Sequence, residues 1–237
     1  MADSISSTEL FLILLAGIVP PLVWLWFWLK EDKRRPEPRS LLLLTFFGGA
    51  FVVLLVLPFQ ALASKFFVPS LVLLLVWATI EEIGKYAVAF FADFRRRTYD
   101  EPLDAMIYLI TAALGFAAFE NVLFLLKSIS QGGLELSIVT ASMRFLGASL
   151  LHVFSSAIMG GIIATSFYKT RRDKLVHLIV GLLAAAALHT LFNFFIMNEV
   201  IAEGSGNVLA VFAMLWVGVL LLLLFFEKVK NITRKIA

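Results

Sequence analysis

An all-α, polytopic membrane bundle of seven transmembrane helices is the fold class predicted, and three observations predict it. Of the 237 residues, 61% are hydrophobic and 16% charged, against about 25% charge in an average soluble chain. Seven apolar runs, at about 9–29, 40–62, 69–92, 104–126, 137–168, 174–197 and 207–226, are each long enough to cross a hydrocarbon core about 30 Å thick. The loops between them alternate in basic charge. Those at 30–39, 93–103 and 169–174 and the tail 227–237 hold sixteen Lys and Arg, against two, Lys65 and Lys127, on the other side. This positive-inside bias places the N-terminus outside and the C-terminus in the cytoplasm.

The first run follows Asp3 and Glu9 with no basic residue before it and no small-residue cleavage site after it, so it reads as a retained span and not a signal peptide. Pro20 and Pro21 predict a kink, and Trp24, Trp26 and Trp28 ahead of Lys30 read as an interfacial anchor. The second and seventh runs are informative only as apolar spans. The third carries Glu81, Glu82 and Lys85; the fourth carries Glu120 and Asn121, with Asp104 after Pro102 as a helix cap. The fifth contains His152 and Ser156, and the sixth His189 and Asn193. Arg144, near the outer end of the fifth, reads as a snorkelling or lipid-contacting residue, and His177 as interfacial. Loops this short leave a single transmembrane domain over 1–237, multi-pass in the cell membrane.

With no Cys, the chain has no disulfide framework, thiol nucleophile or Cys-based zinc site. A net charge of +3 gives no argument for nucleic acid, and the basic loops imply contact with the lipid bilayer and its anionic headgroups.

An ionisable side chain at the centre of a span costs about 2.5–3.5 kcal/mol, so a cluster of them marks a functional site. Counted from the cytoplasmic ends of the spans, Glu81 lies about 12 residues deep, Glu120 and His152 about 16 and His189 about 14, or roughly 18–24 Å. Four helices can therefore bring them to one layer. Glu81 and Lys85 are i, i+4, which predicts an intrahelical ion pair, with Glu82 turned about 100° away. His152 with Ser156 and His189 with Asn193 repeat that spacing and set each imidazole beside a hydrogen-bonding group. Small residues, among them Gly84, Gly115, Gly147, Gly160, Gly161 and Ala184 to Ala187, allow close helix approach.

A desolvated carboxylate can act as a base toward water, while imidazole and amide groups hold a developing oxyanion. Glu81 is the expected water-activating base, with Glu82 as alternate and Glu120 as a second carboxylate that orients the water or binds a metal. His189 and Asn193 would hold the developing oxyanion, supported by His152; Lys85, Ser156 and Asn121 are supporting residues. Glu120, His152 and His189 form a candidate set for a divalent metal such as zinc, although the HExxH spacing is absent. A glutamate mechanism without metal stands equal to it.

These residues carry a resemblance. Glu-Glu-Ile-Gly-Lys at 81–85 resembles an EExxK motif, Phe116 to Glu120 an FxxxE motif, His152 to Ser156 an HxxxS motif and His189 to Asn193 an HxxxN motif. In this order, over about residues 70–197, they resemble PrsW-type intramembrane proteases, a branch of the superfamily containing type II CAAX prenyl endopeptidases and Abi proteins. The resemblance implies hydrolysis of a peptide bond in a membrane-spanning protein substrate, with an anti-sigma factor as the expected partner. The other reading is a non-catalytic scaffold or a proton or cation path on the same polar layer, since the superfamily also resembles a structural subunit of gamma-secretase.

Overall fold

Three helices, those headed by Ser6, Ser70 and Thr170, begin where a side chain supplies an acceptor for a free N–H group. In the computed structural model, which describes residues 5–30, 35–201 and 208–232, α1 (Ser7–Leu29) opens on a capping box between Ser6 and Glu9. Helix α2 covers Arg39–Phe66 and α3 covers Leu71–Ala89, the latter capped by Ser70, whose Oγ accepts from Leu73 N at 3.4 Å. A π-helical turn, Phe90–Phe94, extends α3. Then come α4 (Asp104–Met143), a second π-helical turn (Arg144–Ala148), α5 (Ser149–Ala164), α6 (Arg171–Ile201) and α7 (Val208–Lys230). At the head of α6, Thr170 and Asp173 bond reciprocally in the manner of a cap. No strand occurs among the described residues.

Among the described residues, four helical segments are long and apolar enough to cross a membrane: Ser7–Leu29, Arg39–Phe66, Asp104–Gln131 and Arg171–Phe195; Ser149–Ala164 is apolar but shorter. Buried positions make up 67% of the α4 segment against 17% of α1, so α4 is the central helix. It packs against α1, α2, α3 and α5, while α6 closes the bundle against α3 and α5.

Several sequence expectations need correction. No loop separates a fourth span from a fifth at 127–136, because α4 stays helical to Met143. A straight helix would place residues 120 and 144 about 36 Å apart, yet the Glu120 and Arg144 side chains touch, so the chain reverses within the second half of α4. The expected span 137–168 is accordingly split by the second π-helical turn. Trp28 is no interfacial anchor but is fully buried against Phe226; Trp26 is exposed and carries Lys30 over its ring. Pro20 and Pro21 both lie inside α1. The Asp104 carboxylate accepts from the N–H groups of Asp100 and Glu101, at 2.8 and 2.9 Å, so it closes the preceding loop and does not cap its own helix.

In a membrane, helices are drawn together by close packing more than by the hydrophobic effect. The α2–α4 crossing shows this. A Cβ at Gly49 would collide with the Ala112 carbonyl, and a Cβ at Gly115 with the Phe46 carbonyl. The two backbones thus lie in contact, which holds the residues of α4 against α2 and α3. Gly115→Val is expected to cost about 1–3 kcal/mol by overpacking, read as a lower melting temperature in detergent.

A second polar cluster lies below the bundle. Tyr108 donates to Glu37 Oε2 at 2.6 Å, and Thr98 donates to the buried Asp93. Burial pushes the Glu37 and Asp93 carboxyls above their ordinary range. Their contribution is present at low pH and is lost as pH rises through the folded-state values. Glu37→Gln, which keeps an acceptor for Tyr108, should flatten the fall in melting temperature as pH rises above the ordinary carboxylate range.

Candidate functional site

Four helices and two flanking residues build one continuous polar network. Helix α3 presents Glu81, Glu82 and Lys85 from successive positions on its buried side. Helix α4 contributes Glu120 and Asn121, α5 contributes His152, Ser155 and Ser156, and α6 contributes His189.

Glu82 is its hub. It is fully buried, and its Oε1 accepts from Lys85 Nζ at 2.7 Å, His189 Nδ1 at 2.9 Å and Ser155 Oγ at 3.0 Å, while Oε2 accepts from Ser156 Oγ at 2.8 Å. Four donors from three helices satisfy this carboxylate as a carboxylate. The expected Glu81–Lys85 pair is therefore secondary: Lys85 Nζ lies 3.9 Å from Glu81 Oε2. Both glutamates are within reach of the lysine, whose Nζ also lies 2.9 Å from His152 Nδ1.

Glu81 is arranged differently. Its Oε1 accepts from Gln60 Nε2 at 2.8 Å, and its buried Oε2 has no hydrogen-bond partner among the described residues. His189 Nε2 faces that oxygen at 3.6 Å.

The partners define the imidazoles. Glu82 as a carboxylate only accepts, so His189 Nδ1 carries the hydrogen and Nε2 keeps a lone pair. An ammonium only donates, so His152 Nδ1 accepts from Lys85 and its Nε2 donates to Glu120 Oε2, at 2.9 Å. Two acceptors, Glu81 Oε2 and His189 Nε2, thus face each other in a buried site. That arrangement calls for a proton or a cation between them.

The donor set fits a metal ion. Glu81, His152 and His189 each offer a ligand atom, all within 4.8 Å of one another. His189 is held by Glu82 and His152 by Glu120, as in carboxylate–histidine–metal arrangements; to ligate an ion, His152 Nδ1 would exchange its bond from Lys85 for the metal. The set differs from the Glu120, His152 and His189 expected from sequence. Glu120 is taken up by Arg144 and His152, at 2.5 and 2.9 Å, and Glu81 stands in its place.

Other expectations change as well. Ser156 serves Glu82 and not His152. Asn193 is half-buried one turn beyond His189, and none of the described residues hydrogen-bonds its side chain. Asn121 bridges helices, with its amide nitrogen 3.2 Å from Ser149 Oγ and 3.5 Å from the Gly17 carbonyl. Arg144 does not snorkel, since its guanidinium turns inward onto Glu120 and Asn121. His177 bonds within α6, to the Asp173 carbonyl, in keeping with a boundary role.

Sequence reasoning missed Gln60 and Ser155. Gln60 had a signal, a primary amide inside the apolar run 40–62 just after Pro58; Ser155 had none. Gln60→Leu should leave Glu81 without a donor and cost about 1–3 kcal/mol. Gln60→Glu, which sets two carboxylates together, should lower the melting temperature further.

Comparison with known proteins places this geometry. A family model described as PrsW family intramembrane metalloprotease matches residues 37–224. Proteins named Protease PrsW are similar over most of their length. The one from Geobacillus kaustophilus is 28% identical over 193 residues, 80% of this chain and 82% of its own. That from Clostridioides difficile is 29% identical over 199 residues, 81% and 80%, and that from Bacillus subtilis 26% over 192 residues, 78% and 83%. No solved structure gives a significant match.

Proposed function

The chain belongs to the PrsW family of intramembrane metalloproteases, an integral membrane peptidase by that membership, and on that premise we propose that Glu81 is the group around which its hydrolysis turns. The observation that carries this is the unpartnered Glu81 Oε2 facing His189 Nε2 at 3.6 Å. Of the three carboxylates of the network it is the one whose buried oxygen no described residue hydrogen-bonds, which leaves that oxygen to take a proton from water.

The other residues hold that atom in position. Glu82 keeps the His189 lone pair aimed at Glu81, and Lys85 offsets the Glu82 charge. Glu120 keeps His152 in its Nε2–H tautomer. With its proton on Nδ1, His189 is an acceptor toward the site, so the oxyanion role passes to the Asn193 amide. Glu81, His189 and His152 are the residues that would hold a divalent cation such as zinc. When bound, the cation supplies polarisation of the scissile carbonyl and of a water molecule.

We read all seven helices as membrane-crossing in the cell membrane, with the C-terminus cytoplasmic, and 1–237 as one domain. Charge supports this orientation: the basic residues crowd the ends of the helices expected at the cytoplasmic face. The substrate class is a membrane-spanning protein, with an anti-sigma factor as the candidate partner.

The test is cleavage in liposomes of single-span proteins with short extracytoplasmic domains. Wild type is expected to cut at least one; Glu81→Gln should cut none while remaining folded, and a chelator should abolish wild-type cleavage, with recovery on adding zinc. Cleavage retained by Glu81→Gln would overturn the proposal. Cleavage that survives chelation would leave Glu81 as base and remove the metal.

A further inference from the structure

Arg144 stands on the π-helical turn Arg144–Ala148, where the wider turn carries the chain from α4 into α5. Its side chain is 13% exposed. Nε donates to Asn121 Oδ1 at 2.7 Å, Nη2 donates to Glu120 Oε2 at 2.5 Å, and the guanidinium lies 4.0 Å from the centre of the Phe124 ring. Asn121 is tied in turn to Gly17 and Ser149, on α1 and α5. The fork therefore rests on a braced platform.

The oxygen it holds is the one that matters. Glu120 Oε2, which accepts from Arg144, is also the atom that accepts from His152 Nε2. The Glu120 side chain is 20% exposed, the most open of the three carboxylates in the network. Without the guanidinium, only the imidazole it is meant to orient would restrain it.

We propose that Arg144 is a positioning residue that acts through Glu120, keeping His152 in the Nε2–H form with Nδ1 left as the acceptor that meets Lys85. This rests on the proposed place of His152 in the site. An arginine suits the task because its planar fork engages two consecutive α4 residues at once, which an ammonium cannot match in geometry.

The full chain contains three histidines, His152, His177 and His189, so ring-nitrogen NMR of protein labelled at histidine resolves each, with His152→Gln assigning its own signal and His177 as internal control. The spectra are to be compared for wild type, Arg144→Gln and Arg144→Lys beside melting curves and kinetics on a substrate that wild type cleaves. In wild type, His152 should show a single Nε2–H tautomer. Arg144→Gln should disperse that signal, leave His177 unchanged, and lower kcat about 10–100-fold, the usual cost of losing an outer-shell partner, with KM unchanged. Arg144→Lys should recover part of both effects, and should show the partial change if Arg144→Gln does not fold. An unchanged His152 signal in the folded variants would overturn the proposal. So would kcat loss that merely follows the unfolded fraction. The spectra decide the matter even if no substrate is cleaved, a result that would bear on the protease reading alone.

Discussion

Three carboxylates inside an apolar bundle, two of them buried, are tolerable only if donors meet them, and the architecture follows from how Glu82 meets that demand. Its two oxygens collect an ammonium, an imidazole N–H and two hydroxyls from α3, α5 and α6. Each donor fixes a neighbour. Lys85, drawn to Glu82, sets the acceptor face of His152, and His189, donating to Glu82, turns its free lone pair toward Glu81. The network contains three carboxylates, Glu81, Glu82 and Glu120, and two permanent partners for them, Lys85 and Arg144. One negative charge is left over. It falls at Glu81, where a buried oxygen has no donor, and it is there that water or a cation has reason to bind.

Holding such a network requires helices that do not drift. The backbone contact at Gly49 and Gly115 brings α2 onto α4, and Gly160 brings α5 against the start of α4 at Ala105 and Met106. These approaches are permitted by missing side chains, and they carry Gln60 and His152 to within hydrogen-bonding distance of their partners on α3 and α4. Packing and charge are therefore coupled: a helix displaced by one methyl group would separate donors from carboxylates that cannot find water nearby.

Much of this is legible in the chain because ionisable residues stand out in apolar runs. Glu81, Glu82, Glu120, His152 and His189 announce themselves, and their similar depth along the runs anticipates one layer. Their partners are harder to read. Lys85 pairs with Glu82 while its ammonium also meets His152, a residue 67 positions away, and no local rule carries that information. Gln60 is uncharged and lies on a helix outside the four motifs. Arg144 escapes for a geometric reason: the face it presents depends on the phase of an unbroken α-helix, and the π-helical turn it opens breaks that phase. The reversal within α4 is hidden likewise, since the helical pattern continues where a loop is expected.

The central claim is a division of labour between two adjacent glutamates, one that holds the network and one left free. Thermal melting of Glu81→Gln and Glu82→Gln, in the same detergent and at the same pH, tests it most directly. Breaking a buried charge cluster by removing one member costs about 3–5 kcal/mol, so Glu82→Gln should melt far below wild type. Glu81→Gln, which loses no donated bond and keeps an acceptor for Gln60, should melt at or above it. The reverse order, or equal losses in both, would contradict the account.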